Sequence, residues 1–527
     1  MSDSKGQLSR FMAVFAGGTL LSRVFGLIRD IVTAALIPTY ARDAFLFAFR
    51  LPNMLRDILG EGATNAAFVP VFAEAQEKDT ADGFRVLVSA VFSAMILVLA
   101  VVVVLGVLAM PALPWILDGL RPITGAAPKD PERLRMTIGL MQWTFPYLFF
   151  IGLAAFAMAP LFTMRRYGTP SWSPALLNVA LIAFCVALYN YFDNPAWALV
   201  IGVWVGGVAQ LGVLLFAMRR HTGVFVPNFR LRHPGIRKVF WLLLPVMFGQ
   251  ATAEVNKLVD NFFAYSLAEG TVTALFYANR LVQLPLSIFG VAVSVAILPA
   301  ISRAVARGNH AEARDTVLHG YRQSFFLVFP AMLGLVVLRE PIMRLLFERG
   351  AFSTRETDMA SAALLYYGFG LLAFVWVKIS VQGFYAHHDT RTPVIISAAS
   401  MFLNILLNCV LVGPLGFRGL ALATTISFTM NFVLLYAMLN VRVGTLWNRE
   451  TAAAAFKIVL AGCMVTALAY GIAHQVQWRM GVEPFHARLL AVVLPVAAAA
   501  SAYLGLAKAL DIPELQHFAA IFRRSNP

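Results

Sequence analysis

The chain has 527 residues, is 59% hydrophobic and only 13% charged, and carries a formal net charge of +15 with a mean hydropathy of +0.74. Soluble domains carry about 25% charged residues, so a soluble globular fold is excluded and an all-α polytopic membrane protein is expected. The basic excess sits in loops flanking apolar runs and inside those runs, which points to topology and an anionic substrate and away from nucleic acid.

Hydrophobic runs bounded by charge or by Pro and Gly give about fourteen spans. In chain order they are 9–37, 43–72, 84–117, 134–164, 172–192, 196–218, 237–266, 272–302, 317–338, 357–386, 391–412, 417–440, 451–474 and 486–509. Runs such as 86–110 and 196–218 are long enough to cross about 30 Å of hydrocarbon. The second span is the most irregular, because Pro52 and the pair Gly60 and Gly62 interrupt it. The start, MSDSKGQLSR, leads into a span too long for a signal-peptide core and no small-residue cleavage site follows, so no cleavable signal is expected. Cys185, Cys409 and Cys463 each lie in an apolar run without a CxxC or Cys/His cluster, so neither a disulfide nor a structural metal is expected.

Loop charge sets the orientation. With a cytoplasmic N-terminus the inside segments hold roughly 23 Lys and Arg and the outside segments roughly 12, the sense the positive-inside rule requires. Both termini then lie in the cytoplasm. Seven basic residues fall within the spans: Arg23, Arg29, Arg50, Arg56, Lys257, Arg280 and Lys378. Uncompensated, they would cost on the order of 20 kcal/mol, more than a folding free energy, so they must be hydrated or paired. The carboxylates of Asp30 and Asp57 adjoin Arg29 and Arg56. Neighbours on a helix diverge by roughly 100° and make poor partners, which favours a polar, net cationic cavity over local neutralisation.

The chain repeats itself. Shifted by 230 residues, AFLFAFRLPNML (44–55) lies over ALFYANRLVQLP (274–285), pairing Arg50 with Arg280, and the same shift pairs Asp30 with Asp260 and Gly60 with Gly290. A looser echo sets TPSWSPALLN (169–178) against TPVIISAASMFLN (392–404). Two six-helix lobes in parallel orientation follow, at 1–220 and 221–445, with an added helix pair at 446–527. That is the parallel-repeat plan of transporters, with the site between the halves.

Four arginines of the spans, Arg23, Arg29, Arg56 and Arg280, supply guanidinium forks that bind phosphate oxygens bidentately and stay charged when partly desolvated. Convergent, they suit a phosphate or diphosphate. The alternative is scattered structural arginines that cap carbonyls or pair with Asp30, Asp43 or Glu61. Asp260, Asn404, Asn408 and Thr424 are hard oxygen donors within spans. They suit either a small cation such as Na⁺ or hydrogen bonds that tie helices together. No phosphate-binding glycine loop, nucleophile elbow or HExxH is present, so a transporter is expected and not an enzyme. His387, His388 and Asp389 before Thr392-Pro393 read as a helix boundary.

The motifs SRVFGLIRD (22–30), DAFLFAFRLPNMLRDILGEGATNAAFVPVFAE (43–74), YANRLVQLP (277–285) and GFYAHHDTRTP (383–393) resemble the MurJ (MviN) family of the multidrug/oligosaccharidyl-lipid/polysaccharide exporter superfamily. The likeness runs along essentially the whole chain. It implies a lipid II flippase of the bacterial cytoplasmic (inner) membrane that moves the undecaprenyl-diphosphate-linked peptidoglycan precursor to the periplasmic leaflet by alternating access. It further implies substrate-binding residues at Arg23, Arg29, Asp30, Asp43, Arg56, Glu61 and Arg280. A sodium site would fall on Asp260, Asn404, Asn408 and Thr424, and a lipid-tail groove on the last two helices. Asn279, Gln283 and Asn408 stand where some members carry acids, which leaves Asp260 the only carboxylate of the ion set. No cofactor is implied; the drive is Na⁺ coupling or the membrane potential. A flippase for another polyprenyl-diphosphate-linked oligosaccharide is the alternative, and work beside peptidoglycan polymerases is left open.

Overall fold

A computed structural model describes residues 2–58, 67–78, 80–125, 127, 129–222, 233–445 and 449–516, and among them the regular structure is helical throughout. Eleven helical stretches of the described chain are long and apolar enough to cross a membrane. The other three predicted spans are helical over 9–36, over 43–58 and 67–72, and over 237–266.

The chain divides into two compact units. The first comprises Met1–Val272 with Gly350–Phe352, the second Thr273–Arg349 with Ser353–Pro527. In the first lie α1 (Ser2–Leu36), α2 (Thr39–Asp57), α3 (Val69–Lys78), α4 (Ala81–Ala109), α5 (Leu113–Thr124), α6 (Pro131–Thr144), α7 (Tyr147–Thr163), α8 (Gly168–Trp172), α9 (Pro174–Leu188), α10 (Ala196–Thr222) and α11 (Pro234–Ser266). The division falls within the first turn of α12 (Thr271–Pro285). Then follow α13 (Ala292–Ala306), α14 (His310–Val337), α15 (Arg339–Leu346), α16 (Thr354–Ala386), α17 (Arg391–Leu415), α18 (Phe417–Val443), α19 (Arg449–Met480) and α20 (Phe485–Ala509). The units are defined by packing and the lobes 1–220, 221–445 and 446–527 by repeated sequence, so α11 sits in the first unit and near the start of the second lobe.

Prolines and caps set the helix limits. The span read at 84–117 breaks at Met110–Ala112, where Pro111 lacks the N–H that would continue the ladder. α4 starts where the Thr80 side chain accepts from the Gly83 N–H at 3.2 Å, and α16 starts on a capping box of Ser353 and Glu356. α9 and α10 approach closely because Gly206 faces Leu177: a Cβ there would lie 2.9 Å from the Leu177 Cα. In the second unit α19 and α20 pack on α14 through Phe326, Ile458, Val465 and Tyr503. The Tyr503 hydroxyl donates to the Phe326 carbonyl at 2.8 Å, and Arg322 pairs with the buried Glu514 at 2.6 Å.

Backbone irregularities repeat with the sequence. The turn Leu286–Val291 after α12 is π-helical, and 230 residues earlier Ile58, just after α2, is π-helical too. At the second echo, Arg165 and His388 both adopt positive φ, 57° and 58°. Arg166 N–H donates to the Leu161 carbonyl as Asp389 N–H donates to that of Phe384. These pairs share one spacing, so the turns before Thr169-Pro170 and Thr392-Pro393 are the same helix stop.

The 387–389 turn is therefore a boundary, as its sequence suggests. Asp389 accepts from the N–H groups of Arg391 and Thr392 at 3.1 and 3.0 Å and from the Thr392 hydroxyl at 2.7 Å, and it pairs with Arg442 at 2.8 Å. The Thr392 bonds first, then Arg442, hold its carboxyl below the ordinary value of 3.8. A depressed carboxylate contributes stability above its unfolded pKa and loses it as pH falls through the folded one. Asp389→Asn is expected to cost about 1 kcal/mol or less at pH 7. Its melting temperature in detergent should then converge on that of wild type as pH drops below 3.8; a gap that persists in acid would assign the loss to something other than this carboxylate.

Candidate functional site

Arg29, near the end of α1, is held from two sides. Its Nε and Nη2 donate to Asp30 Oδ1 at 3.0 and 2.6 Å, and its Nη1 donates to Asn178 Oδ1 on α9 at 3.0 Å. Arg56, near the end of α2, donates through Nε and Nη2 to Asp57 Oδ1 at 3.1 and 2.8 Å. These pairs correct the expectation that adjacent residues partner poorly. The angle between neighbouring Cβ directions is large, but the long arginine side chain curls back along its own helix and closes the gap. The two pairs differ in setting. Asp30 is buried and the Arg29 side chain 17% exposed, whereas Arg56 and Asp57 are 38% and 27% exposed. The wholly buried Tyr147 hydroxyl lies within electrostatic reach of Arg56, Asp57 and Arg29. Arg23 is exposed on α1.

A third charged group lies on α2 and α11. Glu254 is buried, and it receives Arg50 Nη2 at 3.4 Å and the Lys257 ammonium. Sequence reading missed Glu254, although an acid inside a span three residues before Lys257 was a visible signal. It also missed Asn178 as a partner of Arg29; the signal was the echo that sets Asn178 against Asn404.

Asp43 is buried at the start of α2 and accepts from the Gly270 N–H at 2.6 Å. Around it Lys129 donates to the Leu267 carbonyl at 2.5 Å, Arg133 pairs with Glu269 at 2.6 Å, and the Thr137 and Tyr265 hydroxyls meet at 2.7 Å. Burial lowers the Lys129 pKa, with Asp43 acting against it. Asp43 thus fastens the turn between α11 and α12. Glu61 lies outside the described residues.

In the second unit Arg280 is half-buried on α12, at the repeat position of Arg50. Asn404, Asn408 and Thr424 are buried together. Asn404 Nδ2 donates to the Thr424 and Ser427 hydroxyls at 3.5 and 3.4 Å, and Asn408 Nδ2 donates to Asn404 Oδ1 at 3.1 Å. The two bonds from Asn404 Nδ2 tie α17 to α18, and the bond from Asn408 lies within α17. Asp260, the remaining member of the expected ion set, belongs to the first unit.

A family model described as "Lipid II flippase MurJ" matches residues 32–489. The "Probable lipid II flippase MurJ" of Haemophilus influenzae is 35% identical over 474 residues, covering 87% of this chain and 92% of its own length. That of Vibrio cholerae is 36% identical over 457 residues, covering 85% and 86%. The "Lipid II flippase MurJ" of Burkholderia cenocepacia is 33% identical over 440 residues, covering 82% and 84%. Among solved structures, "Lipid II flippase MurJ, inward closed conformation" superposes with a TM-score of 0.77 at 23% identity, covering 94% of this chain and 99% of that one. An inward-facing multidrug resistance MATE family transporter of the MOP superfamily superposes with a TM-score of 0.64 at 15% identity, covering 82% and 98%.

Proposed function

The chain belongs to the MurJ family, and from that premise we propose that it flips lipid II from the cytoplasmic to the periplasmic leaflet of the bacterial inner membrane by alternating access. The observation that carries the reading is the pair of guanidinium groups of Arg29 and Arg56, both within electrostatic reach of the buried Tyr147 hydroxyl. Arg29 has three of its donor contacts filled by Asp30 and Asn178. A guanidinium has five N–H donors, so one on Nη1 and one on Nη2 remain for two oxygens of a diphosphate. Arg56, half-exposed and paired only weakly by the measure of exposed ion pairs, can trade Asp57 for the headgroup at small cost. Arg280 carries a charge at the corresponding place of the second repeat and is tested by the same assay.

The membrane potential supplies a drive without ATP. Each negative charge carried outward down an inside-negative potential gains about 2.3 kcal/mol per 100 mV. Sodium is the second candidate. Asn404, Asn408 and Thr424 offer the hard oxygens it prefers, but the Thr424 hydroxyl already accepts from Asn404 and the Asn404 side-chain oxygen from Asn408, and the ion would have to replace those bonds. Flux at a fixed potential in sodium and in choline medium separates the two. Equal flux assigns the drive to the potential, and loss of flux in choline assigns it to sodium.

The test of function is depletion of the protein in cells, with an outside-acting enzyme that cleaves the lipid II headgroup as the reporter. Cleavable lipid II is expected to disappear and to return with wild type. Unchanged cleavage would reject lipid II and favour another polyprenyl-diphosphate-linked oligosaccharide, which the same arginines would recognise through the shared diphosphate.

A further inference from the structure

We infer that Asn178 is a positioning residue for the headgroup: it fixes the orientation of the Arg29 guanidinium without taking its charge. The inference rests on the reading of Arg29 as a diphosphate ligand. Asp30, the next residue, reaches Arg29 with one carboxylate oxygen, which accepts from both Nε and Nη2. A single oxygen on one edge leaves the plane of the guanidinium free to pivot. Asn178 supplies the second point from a different helix, accepting from Nη1 at 3.0 Å. Its own orientation is set as well, because Nδ2 donates to the Ser22 carbonyl on α1 at 3.2 Å. With the nitrogen committed to a carbonyl, the side-chain oxygen must face Arg29, so the partners decide which way the amide points.

An amide is the side chain that meets these demands. It accepts from the guanidinium and donates to a backbone oxygen, which neither a carboxylate nor an apolar group can do. It is also neutral. With an aspartate at this place Arg29 would face two carboxylates and lose most of its attraction for a diphosphate. Asn178 is 8% exposed, so its polar atoms need these partners. The repeat sets Asn404 against Asn178 and Asp260 against Asp30, with Val259 at the position of Arg29.

The bland alternative is that Asn178 merely ties α9 to α1. A double-mutant cycle separates the two roles. Full-length protein in nanodiscs is titrated with undecaprenyl diphosphate for wild type, Asn178→Leu, Asn178→Asp, Arg29→Ala and the double variant Arg29→Ala/Asn178→Leu, with thermal melts run on each. Asn178→Leu is expected to weaken binding about tenfold, the size of a lost hydrogen bond to a charged group. Asn178→Asp should weaken it further despite nearly unchanged volume, and it provides the test if the Leu variant does not fold. In the Arg29→Ala background Asn178→Leu should cost no further affinity. An equal loss in both backgrounds, or wild-type binding by folded Asn178→Leu and Asn178→Asp, would overturn the positioning role and leave Arg29 standing. Undiminished binding by Arg29→Ala would remove the diphosphate reading itself, and the role of Asn178 with it.

Discussion

Arg29→Ala and Arg56→Ala are each expected to abolish lipid II transport, with the protein still inserted in the membrane. Two charge-assisted bonds from one guanidinium are worth about 3–6 kcal/mol together, so losing either arginine should cut flux by about a hundredfold or more. The two variants differ in what else they disturb. Arg29 pairs with the buried Asp30, and its removal also costs stability. Arg56 and Asp57 are both partly exposed, and such a pair contributes about 1 kcal/mol or less. Arg56→Ala leaves no buried carboxylate without its arginine, but it withdraws the guanidinium from the buried Tyr147 hydroxyl, so melting temperatures are measured beside flux for both variants. Arg29→Lys adds a control: it keeps Asp30 paired but lacks the planar fork, and should restore stability better than transport. Growth complementation by both alanine variants at normal protein levels would sink this assignment.

The helical plan could be read from hydropathy because a bilayer forces every spanning backbone group into a helix, and the break at Pro111 follows from proline's missing donor. The duplication was legible too. Arg50 and Arg280, Asp30 and Asp260 recur at one shift, and the structure adds π-helical backbone at both Ile58 and Ile288 and matching positive-φ caps that sequence comparison alone does not contain. Partnerships were less legible. The Cβ geometry that made Arg29 and Asp30 look like poor partners ignores the reach of a side chain with four rotatable bonds. Asn178 lies 149 residues from Arg29 and Glu254 lies 204 from Arg50. No local pattern reports contacts at that separation. For Asn404 and Asn408 the sequence left an ion site and a helix tie both open, and the structure displays amide–hydroxyl bonds from Asn404 to α18.

Arg42 is the residue whose loss should cost the fold most, and it drew no notice in the sequence because it stands just outside a hydrophobic run. It is 1% exposed, and its Nη1 donates to the Ala34 and Ile37 carbonyls at 2.7 and 3.1 Å. Those carbonyls end α1 and have no partner further along that helix. The guanidinium also lies 4.9 Å from the centre of the Phe352 ring. Phe352 is delivered by Gly350–Phe352, which packs into the first unit through the Ala351 N–H bonded to the Ala35 carbonyl at 2.8 Å. Gly350 has φ 58°, and a Cβ on it would come within 2.2 Å of the Ala35 carbonyl oxygen. Arg42→Met fills the space but leaves two buried carbonyls unsatisfied, a loss of about 3 kcal/mol or more. Gly350→Ala strains a left-handed residue by about 1–2 kcal/mol and crowds backbone that cannot yield. Both variants should lower the melting temperature in detergent by several degrees, and because they act on one contact their combination should cost less than the sum. A shift under about 2 °C for Arg42→Met would show that water, not Arg42, satisfies the end of α1.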